Sequence, residues 1–334
     1  MKRGFFQSVW KHSERLACKW FPVLVRFGIN LFWGGLRVLV FLLLFVFVSS
    51  AIEAILYHLQ INFSKSSLEA FIIPNTILLT LSIFIGWLCG RFLENLPFRA
   101  LGCWFTKNWL KDLLFGLALG TISIFFAAFI AMIFGGMTIE PNRTNGSSAI
   151  LLTLGVSLAV FILGAAAEEA LFRGYILQTF TRAKLAWLAI ALTSLFFASG
   201  HSGNPNAGYI STINTALAGV WFSLAYLKTR NLWMVFGLHL TWNWVQGAIL
   251  GIPVSGIKEL TTAPLFQITN AGSTVLTGGD YGIEGGIACT IALIASGVLI
   301  WFLPMLRPTE EMLVLTSEEI PTKQFILKIG NLQR

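Results

Sequence analysis

The chain has 334 residues, of which 56% are hydrophobic and only 11% charged, and its formal net charge is +8. Soluble domains contain about 25% charged residues, so this composition excludes an ordinary soluble globular domain. The basic residues are scattered among the segments that separate apolar runs, which indicates a membrane topology, and we expect a lipid bilayer rather than nucleic acid as the partner.

The first 37 residues carry seven Lys and Arg residues among aromatic and apolar ones. This pattern predicts a basic amphipathic segment that lies on an anionic membrane face. It does not match a cleavable signal peptide, because the apolar stretch that follows is too long and lacks a small-residue cleavage site.

Apolar runs of about 20 residues, the length that spans a bilayer as a helix, recur along the chain. They predict an all-α fold, a polytopic membrane helix bundle with about eight transmembrane helices. The eight predicted spans are residues 36–57, 68–90, 112–135, 148–172, 185–200, 208–227, 232–250 and 285–305.

The distribution of positive charge predicts the orientation. With the N-terminus in the cytoplasm, 20 of the 23 Lys and Arg residues fall in or beside cytoplasmic segments. Since cytoplasmic segments are enriched in these residues, we expect both termini to be cytoplasmic. We divide the chain into residues 1–147, a basic segment with three spans; 148–306, the functional core; and 307–334, a cytoplasmic tail.

Three charged residues lie at the end of the fourth predicted helix: Glu168, Glu169 and Arg173. A charged side chain in a lipid-facing helix is unfavourable in free energy. Intramembrane ionisable residues are candidates for a functional site. Glu169 and Arg173 are four residues apart, with the acid nearer the helix N-terminus, which favours an ion pair. Glu168 points about 100° away from Glu169, toward a different neighbour. A buried polar clasp between helices is the alternative interpretation of the same three residues.

Two further motifs lie in later spans. Phe197 and His201 close the fifth span, and His239 and Asn243 share one face of the seventh span because they are four residues apart. Counting from a turn near residue 183, Glu168 and His201 lie within ~5 Å of the same depth on an antiparallel hairpin, at ~1.5 Å per residue. We therefore expect the two side chains to meet. Ordinary interfacial or interhelical roles remain the alternative for each motif.

A carboxylate, two imidazoles and an amide form a sensible hydrolytic set. Glu168 can take a proton from a water held by His201, while His239 and Asn243 donate hydrogen bonds to a developing oxyanion. Glu168, His201 and His239 could also hold a metal ion such as Zn²⁺ with an open position, although no HExxH motif is present. The spacing leaves both the metal-free and the metal-dependent chemistry open.

Glu168-Glu169-x-x-x-Arg173, Phe197-x-x-x-His201 and His239-x-x-x-Asn243, in this order on consecutive helices, resemble the CPBP family. That family includes CAAX prenyl endopeptidases of type II and the bacteriocin-processing or immunity relatives called Abi proteins. The residues from Gly278 to Gly286 are also similar to a stretch found in bacterial and cyanobacterial members, and the resemblance implies a bacterial plasma (inner) membrane.

The resemblance implies an eight-helix intramembrane protease, often labelled a metalloprotease, that hydrolyses a peptide bond of a membrane-associated or lipidated protein or peptide. It implies Glu168 and His201 as the residues that activate water, and His239 and Asn243 as the oxyanion site. We expect Glu169, Arg173 and Phe197 to support them. A non-catalytic membrane scaffold or bacteriocin-immunity protein on the same fold is the alternative. A transporter ranks third, because no inverted repeat is evident.

Overall fold

The computed structural model describes residues 2–61 and 68–317, with side chains from residue 22 onward. The predictions for the basic side chains before residue 22, and for the tail after residue 317, lie outside these parts. Between them the chain is mostly helical, which confirms the predicted membrane helix bundle.

Eleven helices follow one another in the described parts of the chain, and two of them run on into wider π-helical segments. They are α1 (Lys2–His58), α2 (Glu69–Glu94), α3 (Trp109–Gly135), α4 (Ser147–Glu169, continued as a π-helix over Ala170–Leu177), α5 (Gln178–Arg182), α6 (Ala186–His201), α7 (Tyr209–Thr229), α8 (Leu232–Trp244, continued as a π-helix over Val245–Ile249), α9 (Thr274–Thr277), α10 (Ile287–Phe302) and α11 (Glu310–Ser317).

Each predicted apolar run coincides with a helix, but the lengths differ. Among the described residues, five helical segments are long and apolar enough to cross a bilayer: Pro22–His58, Glu69–Glu94, Trp109–Gly135, Ser147–Arg182 and Tyr209–Thr229. The apolar helices α6 and α10 are shorter, with 16 residues each, and α8 has 13 before its π-helical continuation. The predicted count of eight spans therefore stays a prediction.

The first helix is longer than predicted. It runs without a break from Lys2 to His58, and its apolar part begins at Pro22 rather than near residue 36. The position of residues 22–35 on the membrane surface stays a prediction, because the 37 residues from Pro22 to His58 exceed the ~20 residues that span a bilayer. Exposed apolar side chains, such as Leu24 and Phe32, supply a lipid-facing surface in either position.

A small antiparallel sheet qualifies the all-α prediction. Strand β1 (Met137–Pro141) follows α3, and β2 (Phe266–Asn270) lies in the long segment after α8, with Met137 opposite Asn270. The segment 251–283, which from its sequence could be a re-entrant lid or a plain loop, therefore has a defined path. Its strand β2 pairs with β1 at the C-terminal end of α3, and the segment then leads to the N-terminal end of α10.

Helices α3 and α8 pack very closely because glycines face the partner backbone. A Cβ atom at Gly116 would lie 2.1 Å from the Met234 carbonyl oxygen, and one at Gly237 would lie 2.7 Å from the Leu113 carbonyl oxygen. Small residues allow such close packing in membranes, where helices gain little from burying apolar side chains. Helix α8, which carries His239, is thereby held in the middle of the bundle.

Candidate active site

The two glutamates stand at the end of α4, where the helix changes to a π-helix. Such π-helical segments are rare and occur frequently at functional sites. The Glu169 side chain is almost fully buried, with 1% exposed, whereas 27% of the Glu168 side chain is exposed. Consecutive helical residues point about 100° apart, so the two carboxylates meet different surroundings, as the sequence predicts.

Glu169 and Arg173 form the predicted ion pair. Arg173 Nη1 lies 3.1 Å from Glu169 Oε1, and neither side chain is appreciably exposed. Arg173 Nη2 also donates to the Gly219 carbonyl oxygen on α7. The guanidinium lies over the rings of Phe197 and Phe222, at 5.3 and 5.1 Å from their centres, which adds cation–π attraction. The charge of Arg173 is thus held in one place by its own helix and by two neighbours, α6 and α7.

His239 connects the two glutamates. Its Nδ1 atom lies 2.8 Å from Glu169 Oε1, and its Nε2 atom lies 3.7 Å from Glu168 Oε2. A carboxylate only accepts hydrogen bonds, so Nδ1 carries the proton that is donated to Glu169. The ring also stacks on Phe222, with centres 4.5 Å apart. Glu169 therefore does more than neutralise Arg173: it orients the imidazole, a contact that the sequence analysis missed.

His201 is oriented by the backbone of its own helix. Its Nδ1 atom lies 2.8 Å from the Phe197 carbonyl oxygen, four residues earlier on α6. A carbonyl oxygen only accepts, so Nδ1 is protonated and Nε2 of the neutral ring is left with a lone pair. The Phe197 ring packs against the imidazole, with centres 4.7 Å apart, and this contact gives Phe197 a physical role in its motif.

The four predicted residues Glu168, His201, His239 and Asn243 meet around two adjoining cavities. All four line a cavity of about 60 Å³, here called the inner cavity, and a second of about 120 Å³, here called the outer cavity. Since a water needs ~10–15 Å³ of such space, the inner cavity has room for several waters. Glu168 Oε2 and Glu169 Oε2 are both buried without a hydrogen-bond partner among the described residues, but of the two glutamates only Glu168 lines these cavities, where a water can bind it.

Loop residues, here called the cap, form one wall of the inner cavity. Glu284, just before α10, accepts hydrogen bonds from the Ser255 backbone N–H and from Ser255 Oγ, the latter at 3.0 Å. Both residues line the inner cavity. Burial raises the pKa of Glu284, although the hydrogen bonds from Ser255 oppose the shift.

The cap was not predicted from the sequence, although a signal was present. From sequence alone, the stretch from Gly278 to Gly286 is similar to bacterial members of the CPBP family, but no role follows for it. Its glycines are required by close packing: Gly282 has a φ of 95°, and a Cβ atom there would lie 1.9 Å from the Pro253 carbonyl oxygen. Closely spaced glycines indicate a constrained turn, and an acid between them is held in a fixed position by that turn.

The described residues do not fit the predicted metal site. Two imidazole Nε2 atoms and a carboxylate have the right chemistry for Zn²⁺. However, no group of three His, Cys, Asp or Glu side chains in the described parts of the chain is arranged to hold a metal ion. Glu168, His201 and His239 are therefore treated as a hydrogen-bonding set.

Comparison with known proteins identifies the region that carries the motifs. Residues 150–245 match the family described as Type II CAAX prenyl endopeptidase Rce1-like, which confirms the resemblance seen in the sequence. The match includes all seven residues of the three motifs and ends before Ser255 and Glu284. No curated protein and no solved structure matches the chain significantly.

Proposed function

We propose that this integral membrane protein, whose residues 150–245 match the family described as Type II CAAX prenyl endopeptidase Rce1-like, is an intramembrane endopeptidase. The carrying observation is that Glu168, His201, His239 and Asn243, from three helices, line one cavity with room for several waters. Its substrate is a membrane-associated or lipidated protein or peptide, which the match of residues 150–245 supports.

Glu168 and His201 activate the water. Glu168 Oε2 lacks a partner and His201 Nε2 has a lone pair, so both can accept a hydrogen bond from one water in the cavity. Glu168 takes a proton as the water oxygen bonds to the carbonyl carbon of the substrate. The same proton then passes to the amide nitrogen, and the C–N bond breaks to leave a carboxylic acid and an amine.

Asn243 and His239 stabilise the oxyanion that forms during attack. The Asn243 amide lines both cavities and makes no hydrogen bond to another described residue, so its N–H groups are available to the substrate oxygen. His239 can donate from Nε2 only when the ring is also protonated there. Glu169 accepts a hydrogen bond from Nδ1 at 2.8 Å and thereby orients the ring.

Glu169 and Arg173 support this arrangement without touching the substrate. Glu169 contacts both Arg173 and His239, so it links the guanidinium to the imidazole that lines the cavity. Arg173 keeps Glu169 in place through the 3.1 Å ion pair.

We also propose the wider organisation indicated by the sequence. Both termini lie in the cytoplasm of a bacterial cell, residues 148–306 form the catalytic core, and residues 1–147 and 307–334 flank it. The bias of Lys and Arg toward one face supports this orientation. A scan of single cysteines for labelling from each side of the membrane would report the orientation directly.

A comparison of strains tests the proposed activity. Membranes from a strain that carries Glu168→Ala are compared by quantitative proteomics with membranes from the wild type and from an Asn75→Ala control, whose altered side chain lines only the outer cavity. We expect a membrane protein precursor to accumulate with Glu168→Ala alone. Equal peptide profiles in the three strains would contradict the protease assignment.

A further inference from the structure

The inner cavity extends beyond the residues proposed to cleave the substrate. The residues that line both cavities are Glu168, His201, His239, Asn243 and Ser255. The rest of the inner lining comes mainly from α7 and α10, and it includes Glu284 of the cap. A substrate whose scissile carbonyl group lies at Glu168 and Asn243 therefore has space beside that group for one of its side chains.

Glu284 is fixed at the wall of this space from two sides. Asn214 Nδ2, on α7, donates to the Glu284 carbonyl oxygen at 2.8 Å. The Glu284 carboxylate accepts from Ser255 Oγ at 3.0 Å, and the Ser255 carbonyl oxygen accepts in turn from Asn204 Nδ2 at 3.0 Å. Glu284 is half-buried, so part of its surface is open to the cavity that it lines. The carboxyl group is thus held in position, as a group that binds a ligand needs to be.

The Glu284 carboxyl group lacks the cationic partner that two other acids of the bundle have. Glu169 pairs with Arg173 at 3.1 Å, and Glu94 pairs with Arg182 at 2.6 Å. Among the described residues, no Lys or Arg side chain lines the inner cavity. Buried carboxylates are usually paired, because an isolated one loses its hydration without compensation. A cationic group in the cavity would supply the partner.

Two basic residues of the same region do not fill this role. Lys258, in the segment that also carries Ser255, pairs instead with Asp280 at 3.1 Å, where both side chains are mostly exposed. His201 lines the same cavity, but its Nδ1 is bound to the Phe197 carbonyl oxygen and the neutral ring carries no charge. We therefore expect the cation to come from the ligand.

The walls and the size of this space fit a lysine side chain. Trp221, Phe222 and Trp242 contribute aromatic rings to the lining. Aromatic rings attract an ammonium group, and the alkyl stem of lysine packs well on apolar surface. The cavity of about 60 Å³ holds roughly four to six water-sized groups at ~10–15 Å³ each. A lysine side chain, with a four-carbon stem and one ammonium group, is of this size.

We propose that the inner cavity is a specificity subsite for the side chain of a lysine next to the scissile bond, and that Glu284 binds its ammonium group. Glu284 thereby determines which substrate is cleaved and takes no part in the steps that break the bond. This inference rests on the proposed protease function.

Pairs of substrates that differ by one ammonium group test the subsite. The precursor that accumulates with Glu168→Ala defines the cleavage site, and peptides of that sequence carry lysine or norleucine at each of the two positions that flank the cleaved bond. Norleucine keeps the four-carbon stem of lysine and lacks only the ammonium group. For the full-length wild-type protein, we expect kcat/KM to be about tenfold higher or more for lysine than for norleucine at one of the two positions. Equal values at both positions would overturn the lysine subsite.

Matched variants assign the preference to Glu284. Glu284→Gln keeps the size of the side chain and removes its negative charge, so the lysine-to-norleucine ratio of kcat/KM should fall about fivefold or more. The control is Glu259→Gln, which removes one exposed acid from the segment before the cap glycines and should keep the wild-type ratio. A wild-type ratio in folded Glu284→Gln, or an equal loss in both variants, would refute Glu284 as the group that binds lysine.

A steric variant keeps every charge. Ala218 lines the inner cavity from α7, so Ala218→Val should fill part of the space. It should lower kcat/KM about fivefold for the lysine peptide relative to a peptide with alanine at the same position. An unchanged ratio would mean that the lysine side chain does not enter the cavity.

The same measurements separate failure of the subsite from failure of the protease function. Cleavage of the parent peptide without a preference for lysine would overturn the subsite alone. No cleavage of the parent peptide by the wild type, or equal cleavage by Glu168→Gln, would contradict the proposed protease mechanism and the subsite with it.

Discussion

Glu168 and Glu169 are neighbours in the chain, yet the two sides of α4 that carry them differ in burial and in partners. On the buried side, Glu169 is bound to Arg173 and to His239 within hydrogen-bonding distance. On the cavity side, 27% of the Glu168 side chain is exposed, and its Oε2 lies 3.7 Å from His239 Nε2. The Oε2 atom of each glutamate has no hydrogen-bond partner among the described residues, but only Glu168 lines the inner and outer cavities. A step of one residue, which turns the helix by about 100°, separates a carboxylate held in an ion pair from one that faces the cavities.

This difference shows how one polar stretch can serve both stability and chemistry inside a membrane. A buried charge is tolerated when it is paired and hydrogen-bonded, as Glu169 is. A general base needs the opposite, namely an oxygen that is free to bind water and a proton. Changes on the cavity side should therefore affect cleavage, and changes on the buried side should affect folding.

The largest expected effect is on the cavity side. Glu168→Gln keeps the size of the side chain but removes the base, so cleavage of the accumulated precursor should fall about 10²–10⁴-fold, the usual contribution of a general base. Thermal unfolding in detergent should stay at the wild-type temperature, because the side chain is partly exposed. Wild-type cleavage by a folded Glu168→Gln protein would show that Glu168 is not the general base.

A change on the buried side should unfold the protein instead. Arg173→Met leaves the Glu169 charge buried with one cationic partner fewer, and breaking a buried pair costs about 3–5 kcal/mol. We expect a markedly lower unfolding temperature. The control is Lys258→Met, which breaks the exposed pair with Asp280, a kind of pair that contributes only about 0–1 kcal/mol. Similar unfolding of the two variants would show that the Glu169–Arg173 pair is not a structural support.

The oxyanion role of Asn243 makes the comparison sharper, because this residue belongs to the cavity side alone. Asn243→Ala should lower kcat about 10²-fold, as loss of one oxyanion donor does, with little change in KM or in unfolding temperature. Asn75→Ala, on the wall of the outer cavity only, should keep nearly wild-type kcat. Equal effects on kcat from both variants would place Asn243 outside the oxyanion site.

The smallest expected effect is on stability, and it depends on pH because it arises from Glu284 in the cap. The pKa of Glu284 is raised above its usual value of 4.5 by burial, so the unfolded chain loses this proton at a lower pH than the native protein does. Its contribution to stability is therefore present at low pH and is lost as the pH rises through the native pKa.

Replacing the carboxyl group removes that dependence. Glu284→Gln should gain stability relative to the wild type as the pH rises, and a difference of about 1 kcal/mol would appear as a shift of roughly 2–4 °C in Tm. The exposed Glu259→Gln serves as the control and should follow the wild-type pH profile. Parallel profiles for wild type and Glu284→Gln would remove Glu284 from the pH dependence.

Local patterns allowed much of this site to be predicted from the sequence. Apolar runs gave the positions of the helices, and spacings of four residues gave the Glu169–Arg173 pair and the shared face of His239 and Asn243. These features depend on helix geometry, which holds wherever the helix forms. The pattern of apolar and basic residues did not predict that α1 runs unbroken from Lys2 to His58, because basic residues do not by themselves end a helix.

The contacts that the sequence analysis missed depend on tertiary structure. The bond between Glu169 and His239 joins residues 70 positions apart, and the pairing of β1 with β2 joins Met137 to Asn270. The cap needs Gly282 in a left-handed conformation against Pro253, so its place over the cavity follows from loop geometry. No periodic pattern records such contacts, because each depends on how separate elements pack.

Hydrolysis in labelled water tests the central claim most directly. Wild-type protein and Glu168→Gln are reconstituted in lipid bilayers with the accumulated precursor in H₂¹⁸O, and the new C-terminus of the product is examined by mass spectrometry. The account predicts that the wild type incorporates one ¹⁸O atom at that terminus, and that Glu168→Gln yields no labelled product over the same time. Labelled product formed at equal rates by both proteins would contradict Glu168 as the base that activates water.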